Sequence, residues 1–528
     1  MRILPAVSGA RERRPSGWTR GAAGLALLLA VSACSGREPD PFRHLVLISL
    51  DTTRADHLGC YGGSRVPTPR IDQLAREGIL FEQAAVPAPS TLASHASLFT
   101  GLPPRAHGVP RNGFRVPAQL STLAEMLRDA GFETAGFASS FALESRFGLD
   151  QGFEHWDEAF DLLASGDLDG FDQNQRRAEQ VTDAALAFLD GGAHPAPRKA
   201  GESRRLFLFV HYFDPHVPYD PPPPWNRSAL RENGIRRAGL RQLHDSVSIH
   251  YIRQGLPPPA RYQMHRDGLT REILESADGS PVGRDAELAA LYAGEIAYMD
   301  AHVGRLLDGL ERRGILGQAL VVLVGDHGES FWEHADYWNH GLWVYETTIR
   351  VPLLFRLPDG RGAGRRVGRP VSSLDVLPTL LELLRLPAPP GLPGQSLART
   401  FSGGKPRLLP VVSEATQPLG AIEAGRRWPN ELKPSSLRLG RYKLIRAPYL
   451  EREELYDLRA DPGETRDLLR APSEAASRLR EELLERLAAF EQAHEPREPE
   501  PASDEGEVTA RLQALGYGAP AEPASDAP

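Results

Sequence analysis

Acidic side chains stand at the ends of three apolar segments of the chain. Asp51 directly follows the segment 44–50, Asp326 follows a second apolar segment, and Asp214 follows a third. Two carboxylates in one pocket repel each other, and a divalent cation relieves that repulsion. His327 adds a nitrogen ligand beside Asp326. These residue types predict a metal site. The alternative, in which each carboxylate caps a helix, does not explain an Asp followed by a His.

Two further histidines belong to a second candidate cluster. His216 follows Asp214 after one intervening proline, and His340 lies between Asn339 and a glycine. One carboxylate with two imidazoles has the ligand types of a zinc site. The alternative interpretation is that Asp214, His216 and His340 hydrogen-bond an anionic substrate without a second metal.

The elements that must position these residues are buried strands that alternate with helices. Apolar runs typical of strands buried on both faces of a parallel sheet are separated by helical patterns. This order predicts an α/β layered domain with a mostly parallel sheet, in which ligands bind at the carboxyl ends of strands. The predicted strands are 44–50, 134–139, 206–212, 320–325 and 352–355, and the predicted helices are 69–77, 122–129, 175–189 and 285–312.

The segment 91–101, with the sequence TLASHASLFTG, carries the most specific pattern in the chain. It resembles the signature of the sulfatase family, a branch of the alkaline phosphatase superfamily. Thr91 stands at the position of the family's nucleophile, His95 replaces an arginine and Ala93 replaces a proline. The residues that match the signature in register are Ser94, Leu98, Thr100 and Gly101.

Other segments resemble further sulfatase motifs, in the family's order, along residues 44–517. Residues 51–59 are similar to the first metal loop of the family, and the sequence GDHGE at 325–329 is similar to the second. The resemblance implies an alkaline phosphatase-like layered domain over residues 44–387. It also implies a smaller α+β C-terminal subdomain over residues 388–494.

The resemblance also implies roles for individual side chains. Asp51, Asp326 and His327 would bind a divalent metal together with Thr91, and the metal would activate the threonine hydroxyl as a nucleophile. His95 follows Thr91 by one helical turn and therefore lies on the same helix face. It either contacts the transferred group or is a satisfied structural histidine.

The chain departs from the sulfatase pattern at several positions. His216 matches a histidine that faces the substrate in sulfatases, whereas His340 stands in place of a substrate-binding lysine. Sulfatases use a formylglycine made by oxidation of a Cys or Ser at the nucleophile position. Thr91 cannot become formylglycine, because oxidation of its methyl-bearing β-carbon would give a ketone. Thr52 replaces the second aspartate of the first metal loop, and Ser139 lies where a lysine and a histidine are missing.

These departures leave the chemistry of the substrate open between sulfur and phosphorus. Threonine nucleophiles with Asp and His ligands are typical of zinc phosphodiesterases and lipid phosphotransferases. We therefore expect a hydrolase of sulfate or phosphate esters, with calcium if it is sulfatase-like and one or two zinc ions if it is phosphodiesterase-like. A phosphotransferase and a non-catalytic binding lipoprotein are the alternatives. The expected partner is a sulfated or phosphorylated small molecule, glycan or lipid head group.

Residues 1–34 have the pattern of an export signal. A basic flank precedes a short apolar run that ends in VSAC at 31–34, which resembles a bacterial lipoprotein cleavage box. The resemblance implies a lipidated Cys34, a tether over residues 35–43, and anchoring to the outer membrane or a periplasmic membrane face. Ser35 is not the aspartate that retains lipoproteins at the inner membrane. The alternative is an ordinary signal peptide with an incidental cysteine.

Two segments interrupt the alternation of strands and helices. Residues 218–282 are rich in proline at their start and form either a lid over the pocket or an exposed insertion without function. Residues 495–528 begin with a stretch rich in Pro and Glu, and we expect a largely disordered tail there. The formal net charge of −8, without a long basic run outside the N-terminus, gives no reason to expect nucleic acid as a partner.

Overall fold

The computed structural model describes residues 42–63, 65–160, 174–191, 205–217, 219–226, 281–331, 333–335 and 339–514. The export signal, Cys34, residues 35–41 of the tether and most of the insertion at 218–282 lie outside these ranges. The lipid anchor and the lid therefore stay predictions. None of the helices in the described ranges is both long and apolar enough to span a membrane.

The strands and helices are numbered here in chain order. The strands are β1 (His44–Leu50), β2 (Ile79–Phe81), β3 (Ala84–Ala85), β4 (Phe132–Phe137), β5 (His155–Asp157), β6 (Arg205–Tyr212), β7 (Ala319–Gly325), β8 (Arg350–Val351), β9 (Leu353–Arg356), β10 (Arg365–Val367), β11 (Val371–Ser372), β12 (Val411–Glu414), β13 (Ser435–Leu439), β14 (Tyr442–Ala447) and β15 (Arg452–Asp457). The α-helices are α1 (Pro69–Glu77), α2 (Thr91–Thr100), α3 (Pro104–His107), α4 (Leu123–Asp129), α5 (Ala178–Asp190), α6 (Pro281–Arg312), α7 (Glu346–Ile349), α8 (Val376–Leu383), α9 (Gly420–Glu423), α10 (Glu474–Ala493) and α11 (Glu505–Ala514).

The main sheet has eight strands in the order β10-β2-β9-β7-β1-β6-β4-β5. Strand β1 pairs in parallel with both β6 and β7, whereas β9 runs antiparallel to β2 and β7. All seven residues of β1 are buried, as expected for a strand covered on both faces of the sheet. The predicted α/β domain with a mostly parallel central sheet is confirmed.

A separate core covers each face of the main sheet. Leu45 and Leu47 belong to one core cluster, and Val46 and Ile48 belong to the other. They alternate because successive side chains of a strand point to opposite faces. Helix α2 contributes to the first cluster, and α6 contributes to the second. The sheet is thus the middle layer of three, and α2 packs on one defined face of it.

A four-stranded antiparallel sheet, in the order β12-β13-β14-β15, follows the main domain. Leu437, Leu444 and Leu455 on its strands form a core with Leu483 and Leu487 of α10. The apolar face of one helix on one sheet is the minimal two-layer architecture. The predicted α+β C-terminal subdomain is confirmed.

The prediction of disorder for residues 495–528 is wrong over 495–514, and the rest of the tail lies outside the described residues. The amide of Arg115 donates to the carbonyl oxygen of Glu500 at 2.8 Å, and the amide of Ala502 donates to the carbonyl oxygen of Gly113 at 3.1 Å. Leu512 of α11 is buried in the main core. A few apolar residues at the right positions order a segment whose average composition is polar.

The predicted tether is also too long at its C-terminal end. Phe42 is fully buried in the main core, and the amide of Arg43 donates to the carbonyl oxygen of Gln318 at 3.0 Å. The folded domain therefore begins at or before Phe42, because burial of a phenylalanine side chain favours its inclusion in the core.

Candidate active site

Two carboxylates meet where the adjacent strands β1 and β7 end. Asp51 and Asp326 each follow the last residue of one strand, and Leu50 pairs with Gly325 across them. The amide of Asp51 donates to the carbonyl oxygen of Tyr212 at 2.8 Å, and the amide of Asp326 donates to that of Leu50 at 3.1 Å. The parallel register and these hydrogen bonds hold the two carboxylates side by side on rigid backbone.

Thr91 is the first residue of α2, and its hydroxyl group lies between two of the predicted metal ligands. Its Oγ1 is 3.4 Å from Oδ2 of Asp51 and 3.4 Å from Nε2 of His327. One turn later, Oγ of Ser94 donates to the carbonyl oxygen of Asp326 at 2.6 Å. This hydrogen bond ties α2 to the end of β7, so the helix holds the Thr91 hydroxyl group at the site.

The N-terminus of α2 is capped by a distant side chain. Oδ1 of Asn112 accepts a hydrogen bond from the amide of Leu92 at 2.8 Å. Nδ2 of Asn112 and Oγ of Ser90 are buried and have no hydrogen-bond partner among the described residues. Hydrogen-bond donors at a helix N-terminus favour a bound anion. The arrangement therefore suits the negatively charged group of an ester substrate.

Ligand atoms of Asp51, Asp326 and His327 lie within 4.8 Å of one another. Nε2 of His327 is 3.8 Å from Oδ1 of Asp51 and 3.6 Å from Oδ2 of Asp326. Ligand atoms about 2.0–2.2 Å from a tetrahedral ion are about 3.4 Å apart. A single divalent metal therefore fits among these three side chains with small adjustments.

Each of the two carboxylates has one oxygen that is held and one that is not. Oδ1 of Asp326 accepts from the amides of Thr52 at 3.2 Å and His327 at 2.6 Å. Oδ2 of Asp326 and Oδ1 of Asp51 are buried without a hydrogen-bond partner among the described residues. Nδ1 of His327 donates to the carbonyl oxygen of Gly328 at 3.0 Å, which leaves the lone pair on Nε2 for a metal.

Burial opposes charge on these ligands. It raises the pKa of Asp51, and burial together with the charge of Asp51 raises the pKa of Asp326 well above its ordinary value. Burial, reinforced by His340, lowers the pKa of His327 well below its ordinary value, so this imidazole is in the neutral form that binds metals. A bound cation would reverse the carboxylate shifts.

The second predicted cluster is only partly assembled. The rings of His216 and His340 are 5.3 Å apart, and the His340 ring is 4.4 Å from that of His327, so both histidines lie at the same pocket. Asp214, in contrast, accepts a hydrogen bond from the amide of Ala178 at the start of α5. In the described part of the chain, Asp214, His216 and His340 do not form a group with ligand atoms within 4.8 Å of one another. The structure therefore does not bring the predicted second metal site together.

The two histidines of the second cluster are held in defined orientations. Nδ1 of His216 donates to the carbonyl oxygen of Val217 at 2.8 Å. Nδ1 of His340 lies 3.3 Å from Oε1 of Glu329, a fully buried carboxyl group in the second metal loop. Sequence reasoning included Glu329 in a motif but gave it no role, and its contact with His340 indicates one.

Comparison with known proteins identifies the family. A family model described as Sulfatase matches residues 43–386. The chain belongs to the sulfatase family. It is accordingly a hydrolase that acts on ester bonds.

Related sulfatases match along most of the chain. N-acetylglucosamine-6-O-sulfatase of Bacteroides thetaiotaomicron is 24% identical over 529 residues, which cover 90% of this chain and 91% of that protein. The uncharacterized sulfatase YidJ of Escherichia coli is 25% identical over 458 residues, with coverage of 81% and 83%. The fold is also similar to that of the phosphonate monoester hydrolase from Silicibacter pomeroyi, with a TM-score of 0.64 and 22% identity over 85% of this chain and 95% of that chain.

His95, at the arginine position of the sulfatase signature, has both ring nitrogens engaged. Nδ1 donates to the carbonyl oxygen of Thr91 at 2.7 Å, so Nε2 accepts from the hydroxyl group of Ser49 at 2.8 Å. Burial lowers the pKa of His95 to about 3, and the side chain is neutral. These contacts favour the structural interpretation of His95 over contact with the transferred group.

Thr52, at the position of the second sulfatase aspartate, does not supply a carboxylate. Its φ of +44° lies in the left-handed region, which is uncommon for a threonine. In this conformation its amide donates to Asp326, while its buried hydroxyl group has no hydrogen-bond partner in the described part of the chain. The backbone of Thr52 thus serves the metal site where a side chain does in sulfatases.

Sequence reasoning missed His211 and Asn112. His211 lies on β6, and its Nε2 is 3.2 Å from Oδ2 of Asp51. The available signal was a histidine inside an otherwise apolar strand, where a polar side chain needs a hydrogen-bond partner. Asn112 lies in a loop without periodicity, and no sequence signal connected it to the start of α2.

Proposed function

We propose that this sulfatase-family chain is a metal-dependent hydrolase with Thr91 as its nucleophile. Its substrates would be sulfate esters or phosphorus esters with a single negative charge. The observation that carries the proposal is the position of the Thr91 hydroxyl group, 3.4 Å from both Asp51 and His327. Oδ1 of Asp51 and Oδ2 of Asp326 are buried, have no hydrogen-bond partner among the described residues, and lie 3.8 and 3.6 Å from Nε2 of His327.

Asp51, Asp326 and His327 would hold the divalent metal through Oδ1, Oδ2 and Nε2. When bound there, the metal would supply Lewis acidity toward the ester and favour loss of the Thr91 proton. Oδ2 of Asp51 accepts the hydrogen bond from Thr91 and would not bind the metal itself, so it is placed to receive that proton. Oδ1 of Asp51 would therefore bind the metal, and Oδ2 would accept the proton.

The reaction would proceed by transfer to Thr91 followed by hydrolysis. In the first step, Oγ1 of Thr91 forms a bond to sulfur or phosphorus, the bond to the ester oxygen breaks, and a proton reaches the leaving oxygen. In the second step, a water oxygen displaces Oγ1 and one proton of the water returns to Oγ1, which releases inorganic sulfate, a phosphonate or a phosphate monoester and restores the hydroxyl group. Positioning and charge stabilisation supply most of the catalysis in such transfers.

The neighbours of Thr91 are placed to hold the transferred group. The side-chain N–H groups of Asn112, which have no hydrogen-bond partner among the described residues, lie at the start of α2 and can donate to its oxygens, where the helix N-terminus also favours an anion. His216 and His340 line the same pocket, and Glu329 orients His340. We assign these two histidines to the anion or the leaving oxygen rather than to a second metal.

The charge of the site favours a monoanionic group. The arginine of the signature is replaced by His95, which is buried, neutral and engaged at both nitrogens. A buried charge needs a compensating partner, and the substitution removes one positive charge from the anion site. Sulfate monoesters, phosphonate monoesters and phosphate diesters carry one negative charge, whereas phosphate monoesters carry up to two.

The relatives support the same substrate classes. One is named for cleaving a 6-O-sulfate from N-acetylglucosamine, and a protein of the same fold hydrolyses phosphonate monoesters. We therefore propose a sulfated glycan or a phosphorylated small molecule or head group as the natural substrate. The second candidate function is a zinc phosphodiesterase, which a threonine at the nucleophile position beside Asp and His ligands specifically favours.

Kinetic measurements on four substrates test the proposal. Purified protein, supplied in turn with Ca²⁺, Mn²⁺ and Zn²⁺, would be assayed with an aryl sulfate, a phosphonate monoester, a phosphate diester and a phosphate monoester. We expect turnover of at least one of the first three substrates and the lowest kcat/KM for the phosphate monoester. Preference for the phosphate monoester would contradict the charge argument.

Substitutions at Thr91 test the nucleophile. Thr91→Ala should abolish turnover, while Thr91→Ser should retain part of it, because serine keeps the hydroxyl group. Thr100→Ala is the matched control, since Thr100 is a buried threonine at the other end of α2 whose Oγ1 donates to the carbonyl oxygen of Ala96. Turnover by Thr91→Ala at the rate of Thr100→Ala would exclude Thr91 as the nucleophile.

A further inference from the structure

We propose that His211 is a positioning residue that fixes Asp51 as a one-oxygen metal ligand. The inference rests on the metal site of the proposed function. Its evidence is a series of hydrogen bonds that links the backbone amide of Ser139 to the ring of His211, and that ring to the carboxylate of Asp51. All three residues are buried.

The backbone of Ser139 determines which nitrogen of His211 carries the proton. A backbone amide only donates, and the amide of Ser139 is 3.3 Å from Nδ1 of His211. Nδ1 therefore accepts, and the proton of the neutral ring is on Nε2. From there it is donated to Oδ2 of Asp51 at 3.2 Å. Oγ of Ser139 also donates to the carbonyl oxygen of His211, which holds the residue at a second point.

This hydrogen bond divides the two oxygens of Asp51. Oδ2 is held by His211 and contacted by Thr91, whereas Oδ1 has no hydrogen-bond partner among the described residues. Asp326 shows the same division, with backbone amides in place of a side chain. His211 thus does for Asp51 what the amides of Thr52 and His327 do for Asp326. Both carboxylates are prepared to bind through one oxygen.

The position of His211 in the sheet supports a role at the site. His211 of β6 pairs in register with Ser49 of β1, two residues before Asp51. Most other side chains of β1 and β6 are apolar and buried in the core, and burial of a polar side chain is unfavourable unless it is hydrogen-bonded. An apolar residue would pack at this position without that requirement, so packing alone does not explain the histidine.

The same atoms exclude a direct metal-binding role for His211. Ligand atoms of His95, His211 and Asp326 also lie within 4.8 Å of one another, as a second ion would require. However, Nδ1 of His95 carries a proton because it donates to the carbonyl oxygen of Thr91, and Nε2 of His211 carries a proton by the argument above. A protonated nitrogen cannot bind a metal, and the other two ring nitrogens, Nε2 of His95 and Nδ1 of His211, accept hydrogen bonds from Ser49 and Ser139. His95 and His211 therefore do not form a second metal site with Asp326. His211 instead orients Asp51 at the first site.

Two substitutions that differ only in reach test the inference. In His211→Gln the amide nitrogen reaches the place of Nε2 and can still donate to Asp51. In His211→Asn the shorter side chain reaches only the place of Nδ1, where it can accept from Ser139 but cannot donate to Asp51. We expect His211→Asn to weaken Mn²⁺ binding about 10–100-fold, as for other residues that orient metal ligands, and His211→Gln to bind nearly as well as the wild type.

The controls separate positioning from folding and from the metal site itself. Mn²⁺ affinity and stoichiometry would be measured by competition with a fluorescent chelator, beside the thermal midpoint of the metal-free protein. His107→Asn is the matched control, since His107 is a fully buried histidine that contacts Ser97. It should lower the thermal midpoint and leave Mn²⁺ affinity unchanged. Asp326→Asn should lose Mn²⁺ binding.

The outcomes distinguish failure of this inference from failure of the proposed function. Tight Mn²⁺ binding by His211→Asn, with binding lost in Asp326→Asn, would overturn only the role of His211. Binding retained in both variants would overturn the metal site. A stoichiometry of two that falls to one in both His211 variants would make His211 a ligand and contradict the inference. Nitrogen-15 NMR of the wild type needs no variant, and a proton on Nδ1 of His211 would also contradict it.

Discussion

Two clusters with similar residue types assemble to different degrees in this molecule. Ligand atoms of Asp51, Asp326 and His327 lie within 4.8 Å of one another, whereas those of Asp214, His216 and His340 do not form such a group among the described residues. The first two carboxylates directly follow strands that are neighbours in the sheet. Asp214 stands two residues beyond the end of its strand. The comparison indicates that strand register, more than residue type, decides which side chains come close enough to hold one ion.

The two clusters also neutralise buried carboxyl groups in different ways. Burial raises the pKa of Asp214, and burial together with the charge of Asp214 raises the pKa of Glu295 well above its ordinary value. Burial therefore favours the protonated form of this pair, and the nearby positive charge of Arg177 opposes the shift only in part. Asp51 and Asp326 experience the same burial but have a site in which a cation fits.

The largest contrast is expected between matched substitutions in the two clusters. Asp326→Asn should lower kcat/KM about 1,000-fold, or roughly 4 kcal/mol, because the metal loses a charged ligand. Asp214→Asn should leave kcat/KM close to the wild-type value. Activity assays at saturating Mn²⁺, with metal content measured by mass spectrometry, check both. Equal losses in the two variants would break the comparison.

A smaller effect is expected at the histidine that borders both clusters. His340→Gln should lower kcat/KM about 100-fold, since its ring no longer contacts the anion or the leaving oxygen, with no loss of bound metal. His334→Gln is a suitable control, because His334 stacks on Tyr345 with ring centres 3.7 Å apart. Loss of metal from His340→Gln would instead make His340 a ligand.

The C-terminal segment supports the loop that carries Asn112 and thereby the start of α2. Leu512 is 7% exposed and contacts Gly113, next to Asn112. Leu512→Ala should lower the free energy of unfolding by about 2 kcal/mol, the low end for a buried leucine. Leu408 is 47% exposed, and Leu408→Ala should change the free energy of unfolding by less than about 0.5 kcal/mol. Urea denaturation followed by tryptophan fluorescence measures both.

The smallest expected effect is a change in the pH dependence of stability at Asp214. Its native pKa is raised by burial, so between about pH 4 and the native pKa only the unfolded chain releases the proton. Stability therefore falls as pH rises through this window. Asp214→Asn should remove this contribution and flatten the curve by about 1–2 kcal/mol. An unchanged slope in urea denaturation between pH 4 and 7 would show that Asp214 is not protonated in the native state.

Much of the fold was predictable from local patterns. The apolar run 44–50 coincides with β1, and the helix predicted at 69–77 coincides with α1, which begins at a proline suited to a first helical turn. The strand predicted at 134–139 lies two residues earlier, over Phe132–Phe137. Periodicity identifies an element well, but the neighbouring strands determine where it ends.

The site was predictable where a motif and a strand end coincide, as at Asp51 and Asp326. His211 and Asn112 were not, because their partners lie 160 and 20 residues away in the sequence. Asp214 was included with the histidines because it also follows an apolar segment and has a ligand side chain, and its hydrogen bond to the start of α5 could not be foreseen without the packing of that helix. Long-range contacts of single polar side chains leave little trace in periodicity.

Anomalous diffraction from crystals grown with Mn²⁺ tests the central claim most directly. We expect one strong peak, about 2.0–2.6 Å from Oδ1 of Asp51, Oδ2 of Asp326 and Nε2 of His327, with Oγ1 of Thr91 in contact with it. A principal peak held by His216 and His340 away from Asp51, or a peak that Thr91 does not reach, would contradict the proposed metal site and its nucleophile.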